Sequence, residues 1–228
     1  FWLDYWSIDS KDKLNQLTQS TILGNPLNYA SNFALNANKE LLIHSNMLNT
    51  GQTQKNGIDF GWALREPTEW GQVQARISGT WTLKSRYRDL ATGPDWVNDL
   101  NTLSTFTGYV TPKLRMQTSV GITRQNWQAI ATVNYMHSYD DGGFSGINAD
   151  TGESVKVDHH KVPSFTTLDL SLRYDVSKKW KVRAGIDNVF DTKSPVTFGV
   201  SSLWNYGTNP QYANLYGRTI NVGTSYQF

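Results

Sequence analysis

The chain of 228 residues carries a formal net charge of +2, contains no cysteine and has a mean hydropathy of −0.50. A charge this small and scattered excludes a nucleic-acid-binding surface, the lack of cysteine excludes disulfides and thiolate metal sites, and no run of about 18 apolar residues supplies a transmembrane helix. Aromatic residues nevertheless make up 13% of the chain, a high share for so polar a protein.

A period of two in apolar and polar residues predicts antiparallel β-strands along most of the chain. In residues 180–187, for example, Trp180, Val182 and Ala184 alternate with Lys181 and Arg183. The only segment for which we consider a helix is 11–20. We expect eight strands, at about residues 1–8, 41–65, 72–87, 112–123, 127–139, 164–176, 180–189 and 217–228.

The connections between these strands are of two kinds. Those at 66–71, 124–126 and 177–179 are short, whereas those at 10–40, 88–111, 140–163 and 190–216 are long and rich in Gly, Asn and Asp. Short turns at one end and long loops at the other are typical of an outer-membrane barrel, and most of these strands exceed the five or six residues usual in a β-sandwich. The sequence therefore predicts an all-β, transmembrane antiparallel β-barrel. Aromatic residues near the strand ends fit its interfacial girdles: Trp62, Trp81, Tyr87, Trp127, Tyr139, Tyr174 and Trp180.

Four segments resemble the C-terminal barrel of TonB-dependent outer-membrane receptors. They are LDYWSIDSKDKL, NTGQTQKNGIDFGWAL, RAGIDNVFDTKSP and the closing YGRTINVGTSYQF, in the order and at the spacing of that family. The family motif residues are Gly57, Asp59, Asn188, Phe190, Asp191, Gly217 and Arg218. The resemblance covers nearly the whole chain.

The resemblance implies that residues 1–228 are one domain, the C-terminal part of a receptor barrel. Eight strands would be the last of a 22-stranded barrel, and the plug domain, the TonB box and the first fourteen strands are not in this sequence. The opening FWLDYWSID, without an initiator Met or a signal peptide, agrees with such a piece. The implied function is import of a scarce nutrient (siderophore-bound iron, cobalamin or an oligosaccharide), energised through TonB.

The same resemblance supplies the expected partners: an extracellular nutrient ligand, outer-membrane lipid, TonB acting through the plug, the barrel assembly machinery and the N-terminal part of the same receptor. The assembly machinery would recognise the C-terminal signal formed by Asn221, Gly223, Tyr226 and Phe228. No cofactor is implied. Because the sequence has no nucleophile elbow, P-loop or His-Glu-x-x-His motif, we do not expect an enzyme.

Aromatic residues of the long loops are the candidate ligand contacts, since their rings could stack on a sugar, a planar chelate or a corrin. The candidates are Tyr87, Trp96, Tyr139, Trp204 and Tyr206. The alternative is that these rings line the rim of the barrel.

Two alternatives to these assignments remain open from the sequence. One is a self-contained eight-stranded outer-membrane barrel acting as an adhesin or a structural anchor, and a hydrolase housed in a barrel is more distant. Asp140, Asp141, His159 and His160 offer metal-ligating groups, but adjacent residues of an extended segment point in opposite directions. We therefore interpret these residues as solvated loop polarity and expect no metal site.

Overall fold

The computed structural model describes residues 1–89, 93, 95–103, 109–141, 144–147, 150–157, 159–198, 207–210 and 212–228. No helix among these residues is long and apolar enough to cross a membrane. The chain divides into two compact units. Unit 1 comprises Phe1–Trp6, Gly57–Leu83 and Asp99–Phe228, and unit 2 comprises Ser7–Asn56 and Lys84–Asn98.

The described residues are almost entirely strands and their connections. In chain order the strands are β1 (Trp2–Gln16), β2 (Phe33–Leu35), β3 (Leu41–Ile43), β4 (Met47–Thr68), β5 (Gly71–Asp89), β6 (Val97–Asn98), β7 (Leu114–Arg124), β8 (Trp127–Met136), β9 (Tyr139–Asp140), β10 (Phe144–Ile147), β11 (Ser154–Val157), β12 (Lys161–Val162), β13 (Phe165–Asp175), β14 (Trp180–Asp187) and β15 (Thr219–Tyr226). One α-helix, α1 (Gln19–Gly24), and one 3-10 helix (Ala30–Asn32) lie between β1 and β2.

Eight long strands form one sheet in the order β1-β4-β5-β7-β8-β13-β14-β15, which confirms the predicted number of strands and their all-β class. The short strand β6 pairs with the end of β5, and three two-stranded sheets (β2 with β3, β9 with β12, β10 with β11) belong to the loops. β1 and β15 are the two edges of the path, and no ladder of the described residues joins them.

The register of the sheet separates an apolar face from a polar face. On β13, Leu170 lies opposite Ala131 of β8 and Ile186 of β14, and all three side chains are apolar. Its neighbour Asp169 points the other way, opposite Thr132. Because paired residues of a ladder share a face, the alternation predicted from single strands becomes continuous across the sheet.

Aromatic side chains mark the end of the apolar face that carries the short turns. Trp127 pairs with Tyr174, and Trp180 pairs with Tyr226 on the next ladder. Tyr174, Trp180 and Tyr226 are all exposed. Exposed aromatic residues in a band beside an apolar surface form the interfacial girdle of membrane barrels, so these residues fit the girdle that the sequence predicted.

Three details of the sequence prediction are wrong. β1 runs to Gln16 rather than ending near residue 8, and the helix lies at Gln19–Gly24 rather than at 11–20. The helix begins at Thr18, whose hydroxyl accepts a hydrogen bond from the Thr21 amide and caps the first turn. The expected strand 41–65 is two strands, because Leu41–Ile43 folds back on β2 before β4 starts at Met47.

Candidate functional site

Two long loops are held together over the sheet by a small hydrophobic core, which we call the loop-base core. Its buried members are Met136, Tyr139, Val162, Phe165, Tyr212 and Ala213. The rings of Tyr139 and Tyr212 meet edge to face, with their centroids 4.6 Å apart. The Tyr212 hydroxyl donates towards the carbonyl oxygens of His137 and Pro163, so one side chain ties three segments. Burial raises the pKa of both tyrosines.

Asp141 lies beside this core and joins the same two loops through its carboxylate. Its side chain is 0% exposed, and Oδ2 accepts hydrogen bonds from the Thr197 hydroxyl (2.8 Å) and the Phe198 amide (2.7 Å). His160 Nδ1 lies 3.0 Å from the same oxygen. Oδ1 has no partner among the described residues. Asp141 is therefore the acceptor that fixes residues 197–198 against residues 139–162.

Replacing Asp141 with Ala should loosen the 190–216 loop. The Thr197 hydroxyl and the Phe198 amide would lose their acceptor, and each buried donor left unpaired costs roughly 1–3 kcal/mol. Faster hydrogen exchange of the Phe198 amide in the intact protein would reveal this loss. Asp140→Ala is the matched control, since the Asp140 side chain is 40% exposed and reaches only 3.5 Å from His159. Equal exchange rates in the two variants would contradict the role of Asp141.

The four residues Asn188, Asp191, Gly217 and Arg218 form a closing junction between β14 and β15. Asn188 exchanges two hydrogen bonds with the backbone of Thr192, both 2.9 Å, and so shapes the turn that leaves β14. Asp191 Oδ1 accepts a hydrogen bond from the Arg218 amide. The Lys193 ammonium, followed by this amide, holds the pKa of Asp191 below its usual value. The junction thus ties the base of the 190–216 loop, while Phe190 is exposed beside it.

Gly57 and Asp59 serve the packing of tryptophan on the polar face. A Cβ at Gly57 would lie 2.6 Å from the Trp6 ring, and one at Gly61 would lie 2.3 Å from the Trp2 ring. The Trp6 indole N–H donates to Asp59 Oδ1 at 3.2 Å. Glycine is therefore required where β1 places its two indole rings on β4.

The C-terminal residues lie on the edge strand β15. The Asn221 amide donates to Asp187 Oδ2 at 3.2 Å, and the rings of Tyr226 and Phe228 meet edge to face 5.2 Å apart. Asn221, Gly223, Tyr226 and Phe228 are all exposed. Their role as an assembly signal stays a prediction.

Unit 2 contains a cluster of two arginines on one tryptophan, which we call the arginine–tryptophan cluster. The guanidinium carbons of Arg86 and Arg88 lie 4.6 and 4.8 Å from the centroid of the Trp96 ring. Arg86 Nε donates to Gln54 at 2.8 Å, and Arg88 Nε donates to Gln52 at 2.9 Å. The described partners of Arg86 are all uncharged, so the cluster presents positive charge beside an aromatic ring.

The structure separates the candidate ligand residues predicted from the sequence. Trp96 is half-buried in the arginine–tryptophan cluster, and Tyr87 lies on β5 between its two arginines. Tyr139 is fully buried, so it belongs to the loop-base core and neither to the rim nor to the exposed girdle. Trp204 and Tyr206 lie outside the described residues. Neither the arginines of the cluster nor the Asp141 acceptor was predicted as part of a site, although the spacing Arg-x-Arg at a strand end is visible in the sequence.

The possible metal ligands form separate pairs. His159 lies near Asp140, and His160 contacts Asp141. Among the described residues no group of three or more His, Asp or Glu side chains is arranged to hold a metal ion.

The fold is similar to three solved receptors of the outer membrane. The ferric enterobactin receptor PfeA of Pseudomonas aeruginosa, in a mutant form, aligns with a TM-score of 0.61 and 17% identity, over 99% of this chain and 28% of that chain. For the FrpB iron transporter of Neisseria meningitidis the TM-score is 0.61 and the identity 16%, over 99% and 28%. For the siderophore receptor PirA of Acinetobacter baumannii the TM-score is 0.58 and the identity 16%, over 99% and 29%.

These identities establish similarity of fold alone, and the chain spans less than a third of each of these structures. A comparison with curated protein sequences gives no significant match. Residues 1–189, most of the chain, match the family model described as TonB dependent receptor-like, beta-barrel. The predicted resemblance is therefore confirmed, and the chain belongs to the family of TonB-dependent receptor-like β-barrels of the outer membrane.

Proposed function

We propose that this chain is the wall and the outer loops of a receptor that imports an anionic metal chelate across the outer membrane. The family match carries the proposal of transport, because this family consists of receptors and transporters rather than enzymes. The solved neighbours include a ferric enterobactin receptor, an iron transporter and a siderophore receptor. In this proposal the energy for import comes from TonB, acting through parts of the receptor outside this chain.

We favour part of a large barrel over a self-contained eight-stranded one. A barrel closed by these strands alone would need β1 to pair with β15, and the ladders of the described residues leave both as edges. Open edges in lipid leave backbone groups without partners. Further strands of the same receptor would satisfy both edges.

The arginine–tryptophan cluster supports an anionic ligand. Arg86 and Arg88 are held in place by Gln54, Gln52 and the Trp96 ring, so little side-chain entropy remains to be lost on binding. Guanidinium groups donate paired hydrogen bonds to oxygen anions, and the nearby indole can stack on a planar ligand ring. Ligands with negatively charged oxygens, such as catecholate or carboxylate chelates of iron, match this arrangement.

Exchange of Arg86 and Arg88 for Gln in the intact receptor tests the proposal. We expect an anionic ferric tris-catecholate to bind roughly tenfold or more weakly, since hydrogen bonds to charged groups contribute about 1.5–3 kcal/mol each. Binding would be measured by quenching of intrinsic fluorescence on the purified receptor, with a neutral ferric trihydroxamate as a second probe.

Lys84→Gln is the matched control, because it removes one positive charge from the same strand without touching Trp96. Binding of the anionic probe should change little in this variant. Unchanged binding in the arginine variant, or an equal loss in the control, would show that the cluster does not bind the chelate.

A further inference from the structure

The polar face of unit 1 lines a cavity of about 1200 Å³ in which the charged groups are unequally paired. Three carboxylates, Asp59, Asp169 and Asp187, line it together with two arginines, Arg76 and Arg115. The distribution of partners among these five groups indicates what this surface can bind.

Each of the three carboxylates already accepts two hydrogen bonds from uncharged donors of the wall. The donors are Trp6 and Thr80 for Asp59, the Asn134 side chain and the Asn188 amide for Asp169, and Thr219 and Asn221 for Asp187. A carboxylate that is satisfied in this way needs no arginine.

Arg76 and Arg115 have no hydrogen-bonding or ion-pair partner among the described residues. The register explains why they do not pair with the wall carboxylates. Arg115 lies opposite Thr80, which in turn donates to Asp59, so Arg115 and Asp59 are two strands apart, or about 10 Å.

Arg76 is separated from the third carboxylate in the same way. It lies opposite Ser119, which lies opposite Thr132, which lies opposite Asp169, so three strand spacings, or about 14 Å, separate the two charges. Both separations are well beyond an ion pair. Both arginines are exposed on the polar face, and their charge is left for a partner outside the wall.

The remaining lining of the cavity indicates that this partner is protein. Trp2, Leu215 and Tyr216 line it and are exposed. Arginine, aromatic and other large apolar side chains with few free carboxylates are the composition of a protein–protein interface, whereas a wall facing water alone gains nothing from exposed indole and phenol rings. The solved neighbours are more than three times as long as the part that this chain matches, so most of the receptor lies outside it.

We propose that Arg76 and Arg115 bind Asp or Glu side chains of a segment of the same receptor that lies outside this chain and fills the cavity along the polar face. In this arrangement the wall contributes the cations and the enclosed segment contributes the carboxylates. The assignment rests on the proposed function only in that both place this chain in a larger receptor barrel. It does not depend on which ligand is imported.

A zero-length cross-link tests the assignment in the intact receptor. Arg76→Lys and Arg115→Lys keep the charge and introduce an amine, which a water-soluble carbodiimide couples only to a carboxylate in direct contact. Peptide mapping of the purified, ligand-free receptor should then give Lys cross-links to Asp or Glu residues that precede this chain. Since no ligand and no transport enter the measurement, a failed transport assay would leave the result intact.

Arg183→Lys is the matched control, because Arg183 lies on the same face but outside the cavity and near Asp175. Its cross-links should stay within this chain. The proposal is overturned when the lysines at 76 and 115 couple only to carboxylates of this chain, to a different protein, or to nothing while the control couples to Asp175.

A second measurement covers the charge itself. Reversing both residues, Arg76→Glu with Arg115→Glu, should loosen the enclosed segment and raise the entry of a large hydrophilic antibiotic into cells roughly tenfold, because like charges across an interface repel. Unchanged entry in a receptor that assembles normally would contradict the proposal.

Discussion

Replacing Leu170 with Arg should prevent most of the protein from assembling in the membrane. Leu170 is 39% exposed at the middle of β13, between Ala131 and Ile186 on the apolar face. In the assembled barrel this face contacts lipid, and an arginine near the bilayer midplane costs roughly 2–4 kcal/mol. The measurement is the amount of heat-modifiable, protease-resistant receptor in the outer membrane, and we expect a severe reduction.

Ser171→Arg provides the matched control one residue away. Ser171 lies opposite Ile130 and Gly185 on the polar face and is exposed, so a long charged side chain there can reach water in the lumen. We expect near-normal assembly of this variant. If both variants assembled equally well, or both failed, the assignment of the two faces would be wrong.

Replacing Gly217 with Val should open the closing junction and lower the unfolding temperature of the receptor. Gly217 has a φ of +66°, and a Cβ there would lie 2.5 Å from Asp191 Oδ1. A left-handed conformation costs an L-residue about 1–2 kcal/mol, and a β-branched side chain more. Displacement of Asp191 would also remove its hydrogen bond from the Arg218 amide, which adds about 1.5–3 kcal/mol for a charged acceptor.

Gly152 separates the two causes. Its φ is +70°, but nothing lies within 4 Å of the position of its Cβ. Gly152→Val therefore keeps the conformational strain and lacks the clash, and thermal unfolding should be affected much less than by Gly217→Val. Equal shifts in the two variants would mean that the contact with Asp191 contributes nothing.

Alternation along each strand was sufficient to predict the two faces of the sheet. The side chains of Leu170 and Leu172 point one way and those of Asp169 and Ser171 the other because the pleat has a period of two, whatever the neighbouring strands are. The short turns were equally predictable, since polar residues interrupt the alternation there. These features are local, so the amino-acid sequence by itself determined them.

The family motif residues were recognisable in the sequence, but their physical role was not. Asn188 and Asp191 are separated from Gly217 by a loop of more than twenty residues, and only the folded chain brings the Asp191 carboxylate to the Arg218 amide. The pattern of residues identified the family, and the tertiary structure explained why glycine is needed at this position.

Residues of the long loops were decided by tertiary structure alone. Tyr139 was expected at an exposed rim, yet Tyr212 and Val162, both distant in sequence, bury it completely. Trp96 was singled out as an aromatic ring, whereas its two arginines became apparent only when β5 and β6 paired. A strand repeats a simple period that a single segment reveals, but a loop acquires its structure from contacts between segments far apart in the chain, and such contacts leave no periodic signal in the sequence.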